Sequence, residues 1–212
     1  MIFTLSKELI FPPVELSEKD GLLAIGGDLS AERLILAYQL GIFPWFEGEL
    51  PLWYSPDPRF VLFPDELRIS NSMKQVIKSG KFQFTTDMVF RDVIENCGMV
   101  KREGQGGTWI TDEMIEAYVQ LHEMGFAHSA EVWLEGKLVG GLYGIITGNV
   151  FCGESMFSTE SNASKFALLQ FVPKLVEKEI NIIDCQVYTE HLFSLGARMI
   201  PRKDYLSFLQ QK

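Results

Sequence analysis

Two short stretches place polar side chains where an apolar run would otherwise continue. In NIIDCQVY, residues 181–188, Asp184 and Gln186 interrupt a strand-like pattern. At positions i and i+2 of a regular strand they leave the same face about 7 Å apart. In GNVFCGESMFS, residues 148–158, Glu154 stands among Phe151, Met156 and Phe157. A carboxylate in such company is paired, hydrogen-bonded or reserved for a cationic ligand. An amide takes up no proton, and an aspartate near its reference pKa of about 3.9 is a weak base. Asp184 and Gln186 therefore suit orienting a bound group through hydrogen bonds rather than acting as a strong base. A strand with one solvated face accounts for the same pair.

Other chemistries find less material. Three scattered histidines and Cys97, Cys152 and Cys185, without CxxC spacing, make no zinc cluster and suit a reducing compartment. The formal net charge of −9 argues against a clamp along a long nucleic acid. The charge is uneven, however: Arg68 to Arg102 holds seven basic residues against three acidic ones, leaving −13 elsewhere. Lys74 and Lys78 lie one turn apart on an expected helix, with Lys81 just past Gly80. They form either a solvated face or a small patch for phosphates at one end of an RNA.

Several elements are needed to position these groups. With 212 residues and 47% hydrophobic composition, the chain can bury a generous core, and two unequal lobes are expected. Residues 1–60, dense in proline and glycine, read as a small lobe of mostly irregular structure. It has one clear helix, capped by Ser30, carrying Leu34, Ile35 and Tyr38 and ending at Gly41. Residues 61–212 read as mixed α/β. Helical periodicity covers 70–79, 87–96, 112–124 and 163–178, and strands are expected at 128–134, 138–146, 150–157 and 181–188. A short helix near 190–195, a strand near 197–200 and a last helix from Lys203 complete the order. Antiparallel hairpins followed by strand, helix and strand suit an α+β, GNAT-like acyltransferase sheet. The opening MIFTLSKELIFPP has no basic leader or signal-length apolar stretch, and Leu138 to Gly153 falls short of a membrane span of about 20 residues. A cytoplasmic location without membrane attachment is expected.

Longer motifs narrow the reading. GESMFS at 153–158, NASK at 162–165, IDCQV at 183–187, SLGA at 194–197 and IPRKDY at 200–205 resemble, in order, the C-terminal core of the leucyl/phenylalanyl-tRNA protein transferases. The first half agrees through FPP at 11–13, GLLAIGGDLS at 21–30, AYQLGIFPWF at 37–46, WYSPDPR at 53–59 and GTWIT at 107–111. The resemblance implies a small N-terminal lobe on a GNAT-like domain. It also implies transfer of leucine, phenylalanine or, weakly, methionine from aminoacyl-tRNA to proteins beginning with arginine or lysine, marking them for degradation. No cofactor is implied, because the ester to the tRNA ribose is already activated. Carried over by motif, Glu154, Asp184 and Gln186 match active-site polar residues. Leu142, Phe151, Met156, Phe171 and Ile183 match the pocket for the transferred side chain, and Trp45 and Trp109 the residues holding the terminal adenosine. Lys74, Lys78 and Lys81 would touch acceptor-stem phosphates. A monomer is expected. Two rivals are an acetyl-CoA-dependent N-acetyltransferase, whose glycine-rich pyrophosphate turn GESMFSTESNASK lacks, and a non-catalytic adaptor for basic N-termini.

Overall fold

A computed structural model of the protein describes residues 2–45, 48, 50–100 and 110–210. The first lobe holds β1 (Phe3–Leu5), β2 (Leu22–Gly26), α1 (Ala31–Gln39), β3 (Phe43–Pro44) and β4 (Leu52–Tyr54). Helix α1 begins where expected: the Ser30 hydroxyl accepts from the Arg33 N–H, satisfying one of the donors a helix start leaves open. The lobe is more regular than its composition suggests, because its four strands form one sheet in the order β1-β2-β4-β3. Each strand spans two to five residues, too short to show an alternating pattern between prolines and glycines. Arg33, fully buried, stitches the lobe together by pairing with Asp28 at 3.2 Å and donating to the carbonyls of Ser6 and Glu8.

The rest of the chain runs through β5 (Arg59–Leu62), α2 (Asn71–Lys78), β6 (Gln83–Thr86), α3 (Phe90–Met99), α4 (Asp112–Glu123), β7 (Ala127–Leu134), β8 (Lys137–Thr147), β9 (Val150–Ser158), α5 (Ala163–Glu177), β10 (Ile182–Gln186), α6 (Glu190–Ser194), β11 (Arg198–Ile200) and α7 (Arg202–Leu209). Seven strands make one sheet in the order β11-β5-β10-β9-β8-β7-β6. Strands β5 and β6 escape the sequence reading, each being four residues long without a clear period of two. Within the sheet β9 and β10 are parallel, joined by the crossover helix α5, and the other pairings are antiparallel. This is the α+β arrangement, antiparallel hairpins followed by strand, helix and strand, that the element order suggested.

The strand alternation divides the core. Ile182, Cys152 and Tyr143 join Leu23, Leu34 and Trp53 of the small lobe, together with Val93 of α3, Tyr118 of α4 and Tyr205 of α7, in one cluster. Ile183, Phe151 and Leu142 pack with Phe166, Leu169 and Phe171 of α5 in the other. Each such side chain contributes about 1.5 to 3 kcal/mol by burial. No helix among the described residues is long and apolar enough to cross a membrane.

The local event that creates a site is a splay between the parallel strands. β9 and β10 keep register only from Val150–Ile182 to Cys152–Asp184. Beyond that point β9 continues alongside β8 as far as Ser158, through a register shift next to Gly144. A Cβ at Gly144 would sit 2.2 Å from the Cys152 carbonyl oxygen, so the shift requires glycine there.

Candidate active site

At the splay a cavity of about 540 Å³ opens, lined on one side by Phe43, Pro44 and Trp45 and on the other by Leu168 and Leu192. Glu154 and Gln186, from the two separating strands, both line it, and the Gln186 Nε2 donates to Glu154 Oε1 at 2.8 Å. The second Glu154 oxygen accepts from the Tyr118 hydroxyl at 3.2 Å, and the Tyr118 and Tyr38 hydroxyls share a very short hydrogen bond. Burial pushes the Glu154 carboxyl up to about 7; the nearby Asp184 carboxylate adds to the rise, while hydrogen bonds from Tyr38, Gln186 and Tyr118 pull against it. A carboxyl poised there exchanges its proton at neutral pH.

Asp184 behaves differently. It is fully buried, and Arg59 grips it with Nε on Oδ1 at 2.8 Å and Nη2 on Oδ2 at 2.6 Å. Tyr205 donates to Oδ2 at 2.9 Å and the Gln186 N–H to Oδ1 at 2.9 Å. The simple i, i+2 geometry does not hold between Asp184 and Gln186. The register of β10 against β5 shifts between them, and Gln186 takes a left-handed φ of 64°. The two side chains consequently do not stand side by side: Asp184 faces inward to Arg59, and Gln186 reaches Glu154. A strand with one solvated face is excluded, since Asp184 is 0% exposed.

Of the apolar residues singled out from sequence, Leu142, Phe151, Met156 and Ile183 line the cavity. Phe171 stands behind them, its ring centroid 5.2 Å from that of Phe151 at an edge-on angle of 80°. Trp45 lines the same cavity, 6.0 Å from the Tyr54 ring. Trp109 lies outside the described residues. Lys74 and Lys78 are exposed along α2, away from the cavity lining, and Lys81 pairs with Glu160 at 3.2 Å.

Sequence reasoning missed Arg59, Tyr38, Tyr118, Tyr205 and His191. Arg59 closes WYSPDPR, and an arginine opening an apolar RFVL strand was the available signal. The tyrosines sit at helix positions that read as ordinary core. Burial raises the pKa of all three, so they remain neutral donors. His191 lines the cavity with its Nε2 buried and without a hydrogen-bond partner, and burial followed by Lys165 lowers its pKa.

An apolar chamber next to a titratable carboxyl and an amide, with an aromatic wall, can hold an apolar side chain and guide a nucleophile to the group attached to it. Comparison with known proteins agrees in kind. Residues 61–210 match the leucyl/phenylalanyl-tRNA protein transferase family, and residues 27–57 match that family's N-terminal domain. A leucyl/phenylalanyl-tRNA–protein transferase of Flavobacterium johnsoniae is 55% identical over 212 residues, covering 100% of both chains. One from Syntrophobacter fumaroxidans is 54% identical over 99% of this chain and 90% of its own. Among solved structures, a GCN5-related N-acetyltransferase-like protein from Streptococcus suis has 11% identity and a TM-score of 0.39, over 76% of this chain and 59% of its own.

Proposed function

The chain belongs to the leucyl/phenylalanyl-tRNA protein transferase family, and from that membership we propose that it moves leucine or phenylalanine, and weakly methionine, from aminoacyl-tRNA to the N-terminal arginine or lysine of acceptor proteins. The observation that carries this reading is a cavity in which an apolar chamber adjoins the hydrogen-bonded Glu154–Gln186 pair. In this reading Leu142, Phe151, Met156 and Ile183, backed by Phe171, surround the transferred side chain. Trp45 stacks the terminal adenine, a contact of about 1 to 3 kcal/mol, with Trp109 assigned the same role. Lys74, Lys78 and Lys81 meet phosphates of the acceptor stem. The enzyme acts as a cytoplasmic monomer, and residues 1–60 and 61–212 are its two units.

The reaction joins the acceptor's α-nitrogen to the aminoacyl carbonyl carbon and breaks that carbon's bond to the ribose oxygen. An α-amine has a reference pKa of about 7.7 to 8.0, so a neutral fraction exists at cytosolic pH without a strong base. Gln186 orients the amine through its amide oxygen, and Glu154 takes the proton lost as the C–N bond forms. The departing ribose oxygen recovers a proton from solvent or the adjacent hydroxyl. Asp184 acts through Gln186, because its own oxygens are occupied by Arg59, Tyr205 and the Gln186 N–H. Holding two reactants in near-attack geometry supplies roughly 7 to 11 kcal/mol, ample for an already reactive ester. The acidic balance outside residues 68–102 supports a preference for cationic acceptors.

The test uses purified protein, Leu-tRNA labelled in its amino acid, and reporters starting with arginine or glycine. Transfer to the arginine reporter alone, abolished by Glu154→Ala, is the expected result. No transfer by folded protein with the charged tRNA intact, together with retention of the arginine reporter and none of the charged tRNA, replaces the transferase with an adaptor.

A further inference from the structure

Arg59 is the first residue of β5 and the most heavily engaged cation among the described residues of the site. Its guanidinium is 1% exposed, lies 4.7 Å from the Phe43 ring centroid and 4.6 Å from that of Tyr205, and donates through Nη1 to the Gly41 carbonyl at 3.2 Å. Its remaining donors, Nε and Nη2, take both oxygens of Asp184. Burial works against this charge and the Asp184 carboxylate outweighs it, so the guanidinium stays protonated. One cation thus anchors the small lobe, at Gly41 and Phe43, to the strand that carries Gln186.

The consequence lies two residues along β10. Gln186 is not glycine, yet it holds a φ of 64°, a conformation that L residues adopt only when surrounding contacts impose it. The Val187 N–H closes this turn onto the Cys185 carbonyl at 2.7 Å, and the Gln186 N–H entering it is held by Asp184 Oδ1. That oxygen stays in place because Arg59 and Tyr205 hold the carboxylate. We propose that Arg59 is a positioning residue of the transfer reaction, clamping Asp184 so that its carboxylate fixes the left-handed turn at Gln186 and aims the Gln186 amide at Glu154. This rests on the transferase reading. Lysine cannot replace it, since an ammonium has no planar fork to span both oxygens and still reach the Gly41 carbonyl.

The experiment measures the single-turnover rate of transfer and, separately, the dissociation constant for Leu-tRNA, in wild type, Arg59→Lys and Tyr205→Phe. Absent transfer by the wild type would sink the family activity itself, and the variants are compared only against a working enzyme. The expected result is a rate loss on the order of tenfold to a hundredfold in Arg59→Lys, with a smaller loss in Tyr205→Phe. Donor affinity should stay within about threefold in Tyr205→Phe, which leaves the Gly41 and Phe43 contacts of Arg59 in place, whereas Arg59→Lys also loosens the wall at Phe43 to Trp45. In Tyr205→Phe a purely structural role would weaken donor affinity together with rate; that pattern, or a wild-type rate in either variant, overturns the proposal. If Arg59→Lys does not fold, Tyr205→Phe, which keeps the ring against Arg59 and loses one bond to Asp184, decides by the same two measurements.

Discussion

Glu154 is the residue through which pH acts on the site. Its folded pKa is about 7, raised from an ordinary 4.5. Below about pH 4.5 both folded and unfolded states are protonated there and nothing is lost. Between 4.5 and 7 the unfolded chain ionises while the folded one holds its proton, so stability falls by on the order of 3 kcal/mol as pH rises through that window. Glu154→Gln removes the titration. Denaturation curves across this range should show the variant gaining on wild type as pH rises, and parallel curves would refute the assignment. The pH–rate profile of the variant should likewise lose the contribution near 7 and keep only the limb of the acceptor amine near about 8. Leu142, opposite Met156 in the β8–β9 ladder, lines the chamber assigned to the transferred side chain in the proposed reaction. Leu142→Phe should depress phenylalanine transfer at least about tenfold more than leucine transfer, read as a ratio of kcat/KM values.

At the scale of elements, the role proposed for α2 separates donor binding from chemistry. It is capped by Ser70, whose hydroxyl accepts from the Met73 N–H, and it anchors through buried Met73 while Lys74 and Lys78 point to solvent. Lys74→Glu with Lys78→Glu should raise the donor KM several-fold at low salt with kcat intact. The effect should shrink as salt rises, since each lost phosphate contact removes about one unit from the salt slope. An unchanged slope would assign α2 to a solvated face. Each of α1 to α7 was expected from the sequence, the capped ones such as α1 and α4, where Thr111 accepts from the Met114 N–H, and α3 and α5 without a side-chain cap alike, because the apolar stripe carries the signal. Strands β5 and β6 were not legible, because four residues carry too little periodicity to distinguish a strand from a loop.

At the scale of the molecule, the two lobes share one core, and α7 returns at the end of the chain to seal it. Gly41, with a φ of 73°, lets the small lobe approach α7: a Cβ there would lie 2.6 Å from Leu206 Cδ2. Gly41→Ala therefore combines backbone strain with a clash at the joint and should cost about 2 kcal/mol or more of stability. It should also raise donor KM, because Phe43 to Trp45 follow directly. A thermal melt unchanged from wild type would show that the joint yields.

The polar types at 154, 184 and 186, the apolar residues around them and the family motifs were all present in the one-dimensional pattern, because side-chain chemistry and strand or helix period are local properties. So was the α+β order. The separation of roles between the two carboxylates was not, since it depends on residues far away in the chain. Asp184 lies 125 positions from Arg59 and 21 from Tyr205, and Glu154 lies 36 from Tyr118. Only folding decides that one carboxylate is fully occupied by a guanidinium while the other is buried beside neutral donors, and that burial raises Glu154 to about 7.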